Sequence, residues 1–401
     1  MMRKSTTMVL GALFGLYASS QAMAAADQVV IGDIDDMSGV YADASGTASI
    51  EAINFAIQDF GGTVLGKKIT VLSVDHQNKP DIGASKFREW ADQSGLTLVL
   101  GGSNTGVSIA MSKVAAAKKI PFIAIGAGGS SLTGVDCTPY TVHYAYDTTS
   151  LGNGTATALV KEGGKTWFFI TADYAFGTQL QEAATKVVLA NGGKMLGAVR
   201  APLGTTDYSS FMLQAQASGA QVLGLANAGA DASNSIKAAE EFGISKTMKP
   251  AALLAFLTDI HAVGLPTAQG LTLTTAWYWD LNEETRAWGK RFFAKVNRMP
   301  TMDQIGYYSA TLQYLKAVKA VGSTDSDKVM AELKKAKISD VFTKDGYIRA
   351  DGAMVHSMYV MQVKKPSESK YPWDYYKVVR VMKGEEAFGA TPDATCPFIK
   401  K

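Results

Sequence analysis

The sequence predicts an α/β protein of two lobes, each with a mainly parallel β-sheet flanked by helices. Three observations support this prediction. The chain has 401 residues, 47% of them hydrophobic, which exceeds the usual size of one domain. From Gln28 onward, short apolar runs typical of strands alternate with longer amphipathic runs typical of helices. The same alternation starts again after Asp147, as expected for a second lobe.

The first residues have the order of a secretory signal peptide. Two basic residues precede an apolar run over residues 8–17, and small residues follow as far as Ala24. We therefore expect a signal peptide over residues 1–24, cleaved near Ala24 to Ala26. A membrane anchor, the alternative, needs about 20 continuous apolar residues, and three polar residues interrupt this run. Because no Cys stands directly after the expected cleavage site, we expect export to the periplasm without a lipid anchor.

Charge and composition exclude several classes of partner. Lys and Arg number 39 and Asp and Glu number 36, so the net charge is only +3, and no basic cluster is longer than a pair. Nucleic acid is therefore not an expected partner. Two cysteines and four scattered histidines lack the spacing of a metal site, so we expect no metal and no other cofactor.

The two cysteines, Cys137 and Cys396, are expected to form a disulfide. In an oxidising compartment, a bridge that closes so long a loop stabilises the fold by about 5 kcal/mol in the chain-entropy model. Two unpaired, buried thiols are the alternative.

Residues 28–125 alternate strand patterns with helix patterns. Gly61 and Gly62 end a first helix, whose apolar face is Ile50, Ile53, Ile57 and Phe60. Asp81 is expected to cap a second helix that reaches about Ser94, and a third runs from Val107 to Lys118. The strands are expected at Gln28 to Asp33, Lys68 to Asp75, Leu98 to Gly101 and Pro121 to Ile125.

The second lobe repeats this alternation before the pattern changes. Its helices are expected at Ser150 to Glu162, Phe176 to Asn191 and Ser209 to Ser218, and its strands at Thr166 to Thr171, Met195 to Arg200, Val222 to Ala226 and Leu271 to Thr275. Three long helices follow, at Glu283 to Asn297, Ile305 to Val321 and Asp327 to Lys337. Met354 to Val363 and Tyr375 to Val381 are expected to form an antiparallel hairpin.

No segment has the composition of a flexible linker, so short crossovers are expected to join the lobes and form a hinge. We assign residues 27–146 and 276–350 to the first lobe, and residues 147–275 and 351–385 to the second. Residues 386–401 are assigned to a C-terminal tail.

No catalytic motif is complete. The segment from Gly101 to Gly106 has the glycine spacing of a phosphate-binding P-loop, but Val107 stands where Lys is required. The segment from Gly126 begins like a dinucleotide-binding motif, yet Ser131 replaces its third glycine. No G-x-S-x-G or H-E-x-x-H motif occurs. We expect a protein that is not an enzyme; a secreted hydrolase or a ligand-sensing receptor subunit is the alternative.

The same glycine- and hydroxyl-rich segments suit the binding of a carboxylate. Both begin at the carboxyl ends of expected strands, where open α/β sheets bind ligands. A helix that starts near Thr105 or Gly106 directs free backbone N–H groups and the positive end of its dipole into the cleft. Thr105, Ser108 and Ser130 can add hydroxyl donors. Ordinary turn glycines and a helix cap are the alternative.

Three segments carry a resemblance to a known family. They are IGDIDDMSGVYADASGTASIEAINFAIQDFGG, LVLGGSNTGVSIAMSKVAAAKKIPFIAIGAGG and WFFITADYAFGTQL. Together they resemble the periplasmic solute-binding proteins of the branched-chain amino acid ABC transporter family. The resemblance implies a type I periplasmic binding protein, in which two Rossmann-like lobes with a three-crossover hinge close around a ligand. It also implies ABC transporter permease subunits of the inner membrane as partners, and we expect a monomer.

The resemblance further implies which residues contact the ligand. In the first lobe these are Tyr41, Thr105, Gly126, Ala127, Gly128 and Ser130. In the second lobe they are Tyr174, Phe176, Asn227, Gly229, Phe256 and Thr258. Core packing is the alternative for the aromatic residues. For Trp277, Tyr278 and Trp279, packing in the core or at the hinge is as much expected as ligand contact.

Two chemical classes of ligand stay open. The ammonium group of an amino acid needs an acidic partner in the second lobe; Asp231 and Asp259 lie nearby, but neither matches the family position. Tyr41, Tyr174 and Phe176 could instead stack on the ring of an aromatic acid such as a hydroxybenzoate or a phenylpropanoid. The expected ligand is a small carboxylate, either a branched-chain amino acid or an aromatic acid.

Overall fold

The structure is a computed structural model that describes residues 28–399 and contains sheets of six, seven and three strands. The strands are β1 Gln28–Asp35, β2 Thr63–Val64, β3 Lys67–Asp75, β4 Leu96–Gly101, β5 Phe122–Ala124, β6 Thr141–His143, β7 Thr166–Ala172, β8 Lys194–Ala201, β9 Val222–Ala226, β10 Lys249–Ala252, β11 Thr272–Thr275, β12 Lys337–Ile338, β13 Gly346–Ile348, β14 Met354–Val355, β15 Met358–Val363 and β16 Tyr376–Met382. The helices are α1 Ala48–Phe60, α2 Pro80–Gln93, α3 Thr105–Lys118, α4 Thr148–Lys161, α5 Ala175–Ala190, α6 Ser209–Ala217, α7 Ala230–Glu241, α8 Leu257–Val263, α9 Leu265–Ala268, α10 Glu283–Val296, α11 Met302–Val321, α12 Ser326–Lys335 and α13 Gly384–Phe388.

The two large sheets are the centres of two α/β lobes. The first sheet has the order β2-β3-β1-β4-β5-β6, and all its strands run parallel except β2. The second has the order β16-β15-β11-β10-β9-β7-β8, parallel from β11 to β8 and antiparallel at β15 and β16. Helices cover both faces of a parallel sheet, so its central strands are apolar throughout, as in the fully buried β9. The predicted fold class is confirmed.

Side-chain caps start helices α3 and α11. Asn104 precedes α3, and its side-chain oxygen accepts hydrogen bonds from the first free N–H groups of the helix. Thr301 and Gln304 cap each other's backbone at the start of α11. With this capping box, α11 begins at Met302, three residues before the predicted start at Ile305. The prediction was too late because it was based only on the apolar stripe of the helix.

The chain passes between the two large sheets three times. It leaves the first lobe after β6, returns to it after β11, and leaves it again after β14. The first and third passages lie side by side, because Nε2 of His356 lies 3.0 Å from the carbonyl oxygen of Ala145. His143 and Ala353 also pair in an isolated parallel bridge. Burial lowers the pKa of His356, so this connection contains a neutral imidazole at neutral pH.

Several local predictions differ from the structure. The hairpin is confirmed by the antiparallel pairing of β15 with β16, but Met354 and Val355 pair with β13 in the small third sheet instead. The prediction that Asp81 caps α2 is wrong, because the helix begins at Pro80 and Lys79 precedes it without a side-chain cap. Strands β6 and β10 were not predicted, since three or four residues are too few to show a periodic pattern.

A disulfide joins Cys137 to Cys396 across 259 residues of sequence, with the two Cα atoms 5.5 Å apart. It ties the C-terminal segment to a loop of the first lobe. Asp351 holds the same segment from another side: it forms a buried ion pair with Arg349 and accepts a hydrogen bond from the N–H of Asp393 (2.9 Å). The described C-terminal residues are therefore bound to the body of the protein.

Among residues 28–399, no helix is both long enough and apolar enough to cross a membrane. The predicted signal peptide, residues 1–24, lies outside the described residues. The predicted cleavage region, Ala24 to Ala26, also lies outside them.

Candidate ligand-binding site

A small cavity lies between the two lobes. In this closed conformation its free volume is about 10 Å³, which is room for about one water molecule. It is lined by Tyr41, Ser103, Gly126, Gly128, Tyr146, Tyr174, Phe176, Ala228, Leu254, Phe256 and Asp303. All of these except Asp303 follow the carboxyl end of a strand, in the order β1, β4, β5, β6, β7, β9 and β10. The cavity therefore occupies the position where parallel α/β sheets bind ligands.

Asp36 positions Tyr41 in the first-lobe wall. Its carboxylate accepts hydrogen bonds from the N–H groups of Gly39 (2.7 Å) and Tyr41 (3.0 Å) and from the side chain of Asn78 (2.6 Å). A carboxylate that accepts several N–H donors fixes the turn around it. This turn holds the Tyr41 ring between the lobes, where it is buried.

The lobes contact each other directly, so the conformation is closed. The hydroxyl groups of Tyr41 and Tyr174 form a hydrogen bond across the cavity. At a second point, the N–H of Ser131 in the first lobe donates to the side chain of Gln179 in the second (3.0 Å). Burial raises the pKa of both Tyr41 and Tyr174, so their hydroxyl groups stay protonated and can act as donors.

The glycine loop, residues 126–129, follows β5 and lines one side of the cavity with Gly126 and Gly128. Tyr146 donates its hydroxyl to the carbonyl oxygen of Gly126 (2.8 Å). A Cβ atom at Gly128 would lie 2.6 Å from Cε2 of Phe176, a residue of the second lobe, so only a glycine allows this close approach. Within residues 28–399, the N–H of Gly128 makes no hydrogen bond. The loop therefore has a backbone donor available for a ligand.

The start of α3 differs from its prediction. The side chain of Asn104 accepts hydrogen bonds from the N–H groups of Gly106 (2.9 Å) and Val107 (3.3 Å). The prediction that this helix start offers free donors is therefore wrong at these two residues, because the cap already satisfies them. Thr105 does not line the cavity; its hydroxyl oxygen accepts a hydrogen bond from the N–H of Gly129 (3.0 Å) and so holds the glycine loop in place.

The predicted contact residues fall into two groups. Those that line the cavity are Tyr41, Gly126, Gly128, Tyr174, Phe176 and Phe256. Those that do not are Thr105, Ala127, Ser130, Asn227, Gly229 and Thr258. In the second group, Ser130 accepts a hydrogen bond from the hydroxyl of Thr148 (3.0 Å), and the Asn227 amide donates to Ser235 (3.0 Å). These side chains therefore support the loops behind the cavity wall.

Gly229 lies at a contact between the lobes. Its φ of 61° is in the left-handed region, and a Cβ atom there would lie 2.2 Å from the carbonyl oxygen of Val40. The next residue, Ala230, donates its N–H to that same oxygen (3.0 Å). Gly229 therefore allows the second lobe to approach the turn that carries Tyr41.

Sequence reasoning missed Ser103, Tyr146, Ala228, Leu254 and Asp303. Tyr146 and Leu254 follow β6 and β10, so recognising these two short strands would have found both residues. Ser103 and Ala228 lie in loops that were identified. Asp303 lies in the first turn of α11, ahead of the predicted helix start, and no sequence signal pointed to it.

Asp303 is a fully buried acid without a hydrogen-bond partner. Its exposed fraction is 0%, and neither carboxylate oxygen has a partner among the described residues. Its Oδ2 lies against Gly126, where a Cβ atom would be only 2.9 Å away. Burial first, then the nearby Asp35 and Asp259, raise the pKa of Asp303 well above its ordinary value. The cavity wall therefore contains an acid that favours its protonated form.

Two further acids lie on β1, outside the cavity lining. Asp35 accepts hydrogen bonds from the hydroxyl groups of Ser103 and Tyr307 and from the N–H of Ser103 (3.1 Å). Asp33 is fully buried and, like Asp303, has no hydrogen-bond partner among the described residues. Burial, and to a lesser extent Asp35, raises the pKa of Asp33.

The two acids considered as partners for an ammonium group do not line the cavity. Asp231 accepts a hydrogen bond from the N–H of Gly204 (3.1 Å), and burial raises its pKa to about 6. Asp259 accepts one from the N–H of Phe256 (2.9 Å), and burial raises its pKa to about 7. Both carboxyl groups therefore stabilise loops of the second lobe.

Trp277, Tyr278 and Trp279 pack at the second passage between the sheets, and none of them lines the cavity. The indole N–H of Trp277 donates to the carbonyl oxygen of Val341 (2.9 Å). Tyr278 and Trp279 both donate to the carbonyl oxygen of Trp373 (2.9 and 3.0 Å). Packing, rather than ligand contact, explains their burial.

A wider pocket lies on the second lobe alone. It is lined by Lys249 and Thr272 at the amino ends of two strands, and by Leu159 and Ile236 on the helices beside them. Ligands of open α/β sheets bind beyond the opposite, carboxyl ends of the strands. We therefore assign the candidate site to the cavity between the lobes.

Two α/β lobes that close over a cavity at their strand ends define a two-lobed receptor for a small molecule. The chain belongs to the periplasmic binding protein family, whose family model matches residues 28–370. The resemblance found in the sequence is thereby confirmed.

Solved structures and a curated relative support this membership. A periplasmic binding protein from Burkholderia mallei is 59% identical, with a TM-score of 0.92 and coverage of 94% of this chain and 100% of that chain. A branched chain amino acid ABC transporter periplasmic ligand-binding protein from Burkholderia xenovorans is 40% identical, with a TM-score of 0.82 and coverage of 92% and 100%. Leu/Ile/Val-binding protein homolog 6 from Brucella abortus is 27% identical over 211 residues, 52% of this chain and 53% of the relative. The chain thus spans about half the length of the curated relatives it matches.

Proposed function

We propose that this protein is the periplasmic substrate-binding component of an ABC importer and that it binds a small carboxylate-bearing ligand between its lobes. The observation that carries this proposal is the interlobe cavity, in which five aromatic rings surround a glycine loop with a free backbone donor. An apolar enclosure with a few fixed polar groups is typical of small-molecule sites.

The lining favours a ligand with an aromatic or branched apolar body. Phe176, Phe256 and Leu254 supply apolar surface, and the rings of Tyr146 and Phe256 lie edge to face, 6.3 Å apart. The carboxylate would accept a hydrogen bond from the N–H of Gly128. Lys and Arg are missing from the described lining, so backbone and hydroxyl donors would hold the acid without a salt bridge.

The three passages of the chain between the lobes would act as the hinge on which the lobes close around the ligand and open to release it. We assign residues 27–146 and 276–350 to one moving lobe, and residues 147–275 and 351–385 to the other. The ligand would be delivered by a monomer to permease subunits of the inner membrane without chemical change. Within the described lining, Ser103 donates its hydroxyl to Asp35 and His, Cys and Lys are missing, so this lining offers no Ser-His or Cys-His pair for hydrolysis.

A thermal-shift and calorimetric panel tests this function. Branched-chain amino acids, phenylalanine, benzoate, hydroxybenzoates and phenylpropanoates are added to the purified protein. A ligand that binds only the folded state stabilises it by about 2.7 kcal/mol at 100 times Kd, which raises the melting temperature.

Two phenylalanine variants make this test specific. Phe176→Ala should weaken binding of the active ligand at least tenfold, whereas Phe211→Ala, in the same lobe but outside the cavity, should leave it unchanged. A panel without any shift, or equal affinities for the wild type and Phe176→Ala, would contradict the proposed function.

A further inference from the structure

We propose that Asp303 selects ligands that carry a second polar group, a hydroxyl or an ammonium group, which donates a hydrogen bond to the Asp303 carboxyl. This inference rests on the proposed function and names the kind of ligand that the same cavity takes. Hydroxylated organic acids and amino acids share this feature, because each carries an O–H or N–H donor in addition to its carboxylate.

Asp303 lies on the first-lobe side of the cavity, against the glycine loop. A Cβ atom at Gly126 would lie 2.9 Å both from Oδ2 of Asp303 and from Cβ of Ser103, so these three residues form one contiguous surface. All three line the cavity. A ligand that contacts this surface therefore meets the Asp303 carboxyl directly.

No hydroxyl group of the described cavity lining donates to Asp303. Tyr146 donates to a carbonyl oxygen of the glycine loop, and Ser103 donates to Asp35. Tyr41 and Tyr174 share one hydrogen bond, and the remaining O–H of this pair makes no hydrogen bond with Asp303 either. In a closed, ligand-free cavity, the Asp303 oxygens therefore stay without a partner, which is unfavourable for a fully buried acid.

No basic side chain of the described lining can compensate for this acid either. A ligand in the cavity can supply the donor that the described part of the protein does not. The N–H of Gly128 is free on the same loop, so a ligand with an acid group and a nearby donor group satisfies both positions at once. A simple carboxylate held by the N–H of Gly128 offers no donor to the Asp303 carboxyl.

Two pairs of probes test this inference by calorimetry. L-Phenylalanine is compared with 3-phenylpropanoate, which lacks the ammonium group, and 4-hydroxybenzoate is compared with benzoate, which lacks the hydroxyl group. The wild type should bind the donor-bearing member of one pair at least tenfold more tightly. The pair that shows this preference distinguishes an ammonium from a hydroxyl group.

Asp303→Asn should reduce that preference to less than threefold when the donor is ammonium, and Asp303→Ala should do so for either donor. Asp33→Asn is the matched control: it also removes a buried, unpartnered acid, but one outside the cavity, and it should keep the full preference. Circular dichroism confirms that each variant is folded.

Three outcomes overturn the inference. The first is full preference in Asp303→Ala, and the second is equal affinity of the wild type for both members of both pairs. The third is no binding of any of the four probes to the wild type, which also removes the aromatic members of the proposed ligand class. Equal affinities within both pairs would contradict only the role of Asp303, whereas the absence of binding would also count against the proposed function. The two failures are therefore distinguishable.

Discussion

The hydroxyl of Tyr41, in the first lobe, is hydrogen-bonded to the hydroxyl of Tyr174, in the second. Both rings also line the cavity, so the contact that closes the lobes lies directly beside the proposed ligand. Closure therefore does not depend only on contacts made by the ligand. We therefore expect this pair of phenols to influence the balance between open and closed protein.

The double variant Tyr41→Phe, Tyr174→Phe should shift the ligand-free protein toward an open conformation. It removes one interlobe hydrogen bond, with a net value of about 0.5–1.5 kcal/mol, without leaving a buried hydroxyl unpaired. Small-angle X-ray scattering should show a larger radius of gyration. Tyr140→Phe is the control, because the Tyr140 hydroxyl bonds to Asp327 within the first lobe. Identical scattering of the double variant and the wild type would show that this bond does not govern closure.

Gly128→Ala should weaken ligand binding while the lobes still fold. The added Cβ atom would lie 2.6 Å from the Phe176 ring, so the lobes could not approach to their present distance. We expect at least a tenfold higher Kd by calorimetry, with a melting temperature that changes little. Gly106→Ala is the control, because Cβ there meets no atom closer than 3.3 Å. An unchanged Kd for Gly128→Ala contradicts the closed geometry.

The free energy of unfolding should fall as the pH rises from 6.5 to 8. A buried acid with a raised pKa binds its proton more tightly in the folded state, so stability is lost as the pH increases from about 4 toward the raised pKa. For Asp259 this pKa is about 7, and for Asp33 and Asp303 it is raised well above the ordinary value. The lowered pKa values of the four histidines act in the opposite direction, but only below about pH 6.5.

Asp303→Asn isolates one of these acids. At pH 8 the variant should be more stable than the wild type by about 1 kcal/mol or more, and its stability should decline less between pH 6.5 and 8. Urea denaturation at the two pH values measures both quantities. Asp207→Asn, which removes an exposed carboxyl with a lowered pKa, should leave the decline unchanged. A steeper decline in Asp303→Asn is the contrary result.

Reduction of the Cys137–Cys396 disulfide should lower the free energy of unfolding by about 2–5 kcal/mol, because the open chain gains conformational freedom when unfolded. Denaturation with and without a reducing agent measures the difference. The double variant Cys137→Ala, Cys396→Ala should lose a similar amount of stability and should no longer respond to the reducing agent. Equal stability of the oxidised and reduced wild type would argue against a stabilising role.

The sequence predicted those parts of the site that depend on strands. The segment that begins at Gly126 was found because it follows an apolar run long enough to recognise, and ligands of parallel sheets bind beyond such strand ends. Tyr174 was implied by the family resemblance. Asn104 is a residue type that favours helix caps, but its capping of α3 was not predicted. Asp303 could not be predicted, because only the packing of α11 against the glycine loop brings its carboxyl to the cavity.

Four of the six tryptophans surround the second passage between the lobes. The rings of Trp277 and Trp288 lie edge to face, 6.0 Å apart, and Trp279 donates to the backbone of Trp373. Indole fluorescence depends on the surroundings of the ring, so we expect a change in the angle between the lobes to alter the light these residues emit. Stopped-flow measurements of intrinsic fluorescence should then follow ligand capture without an attached dye.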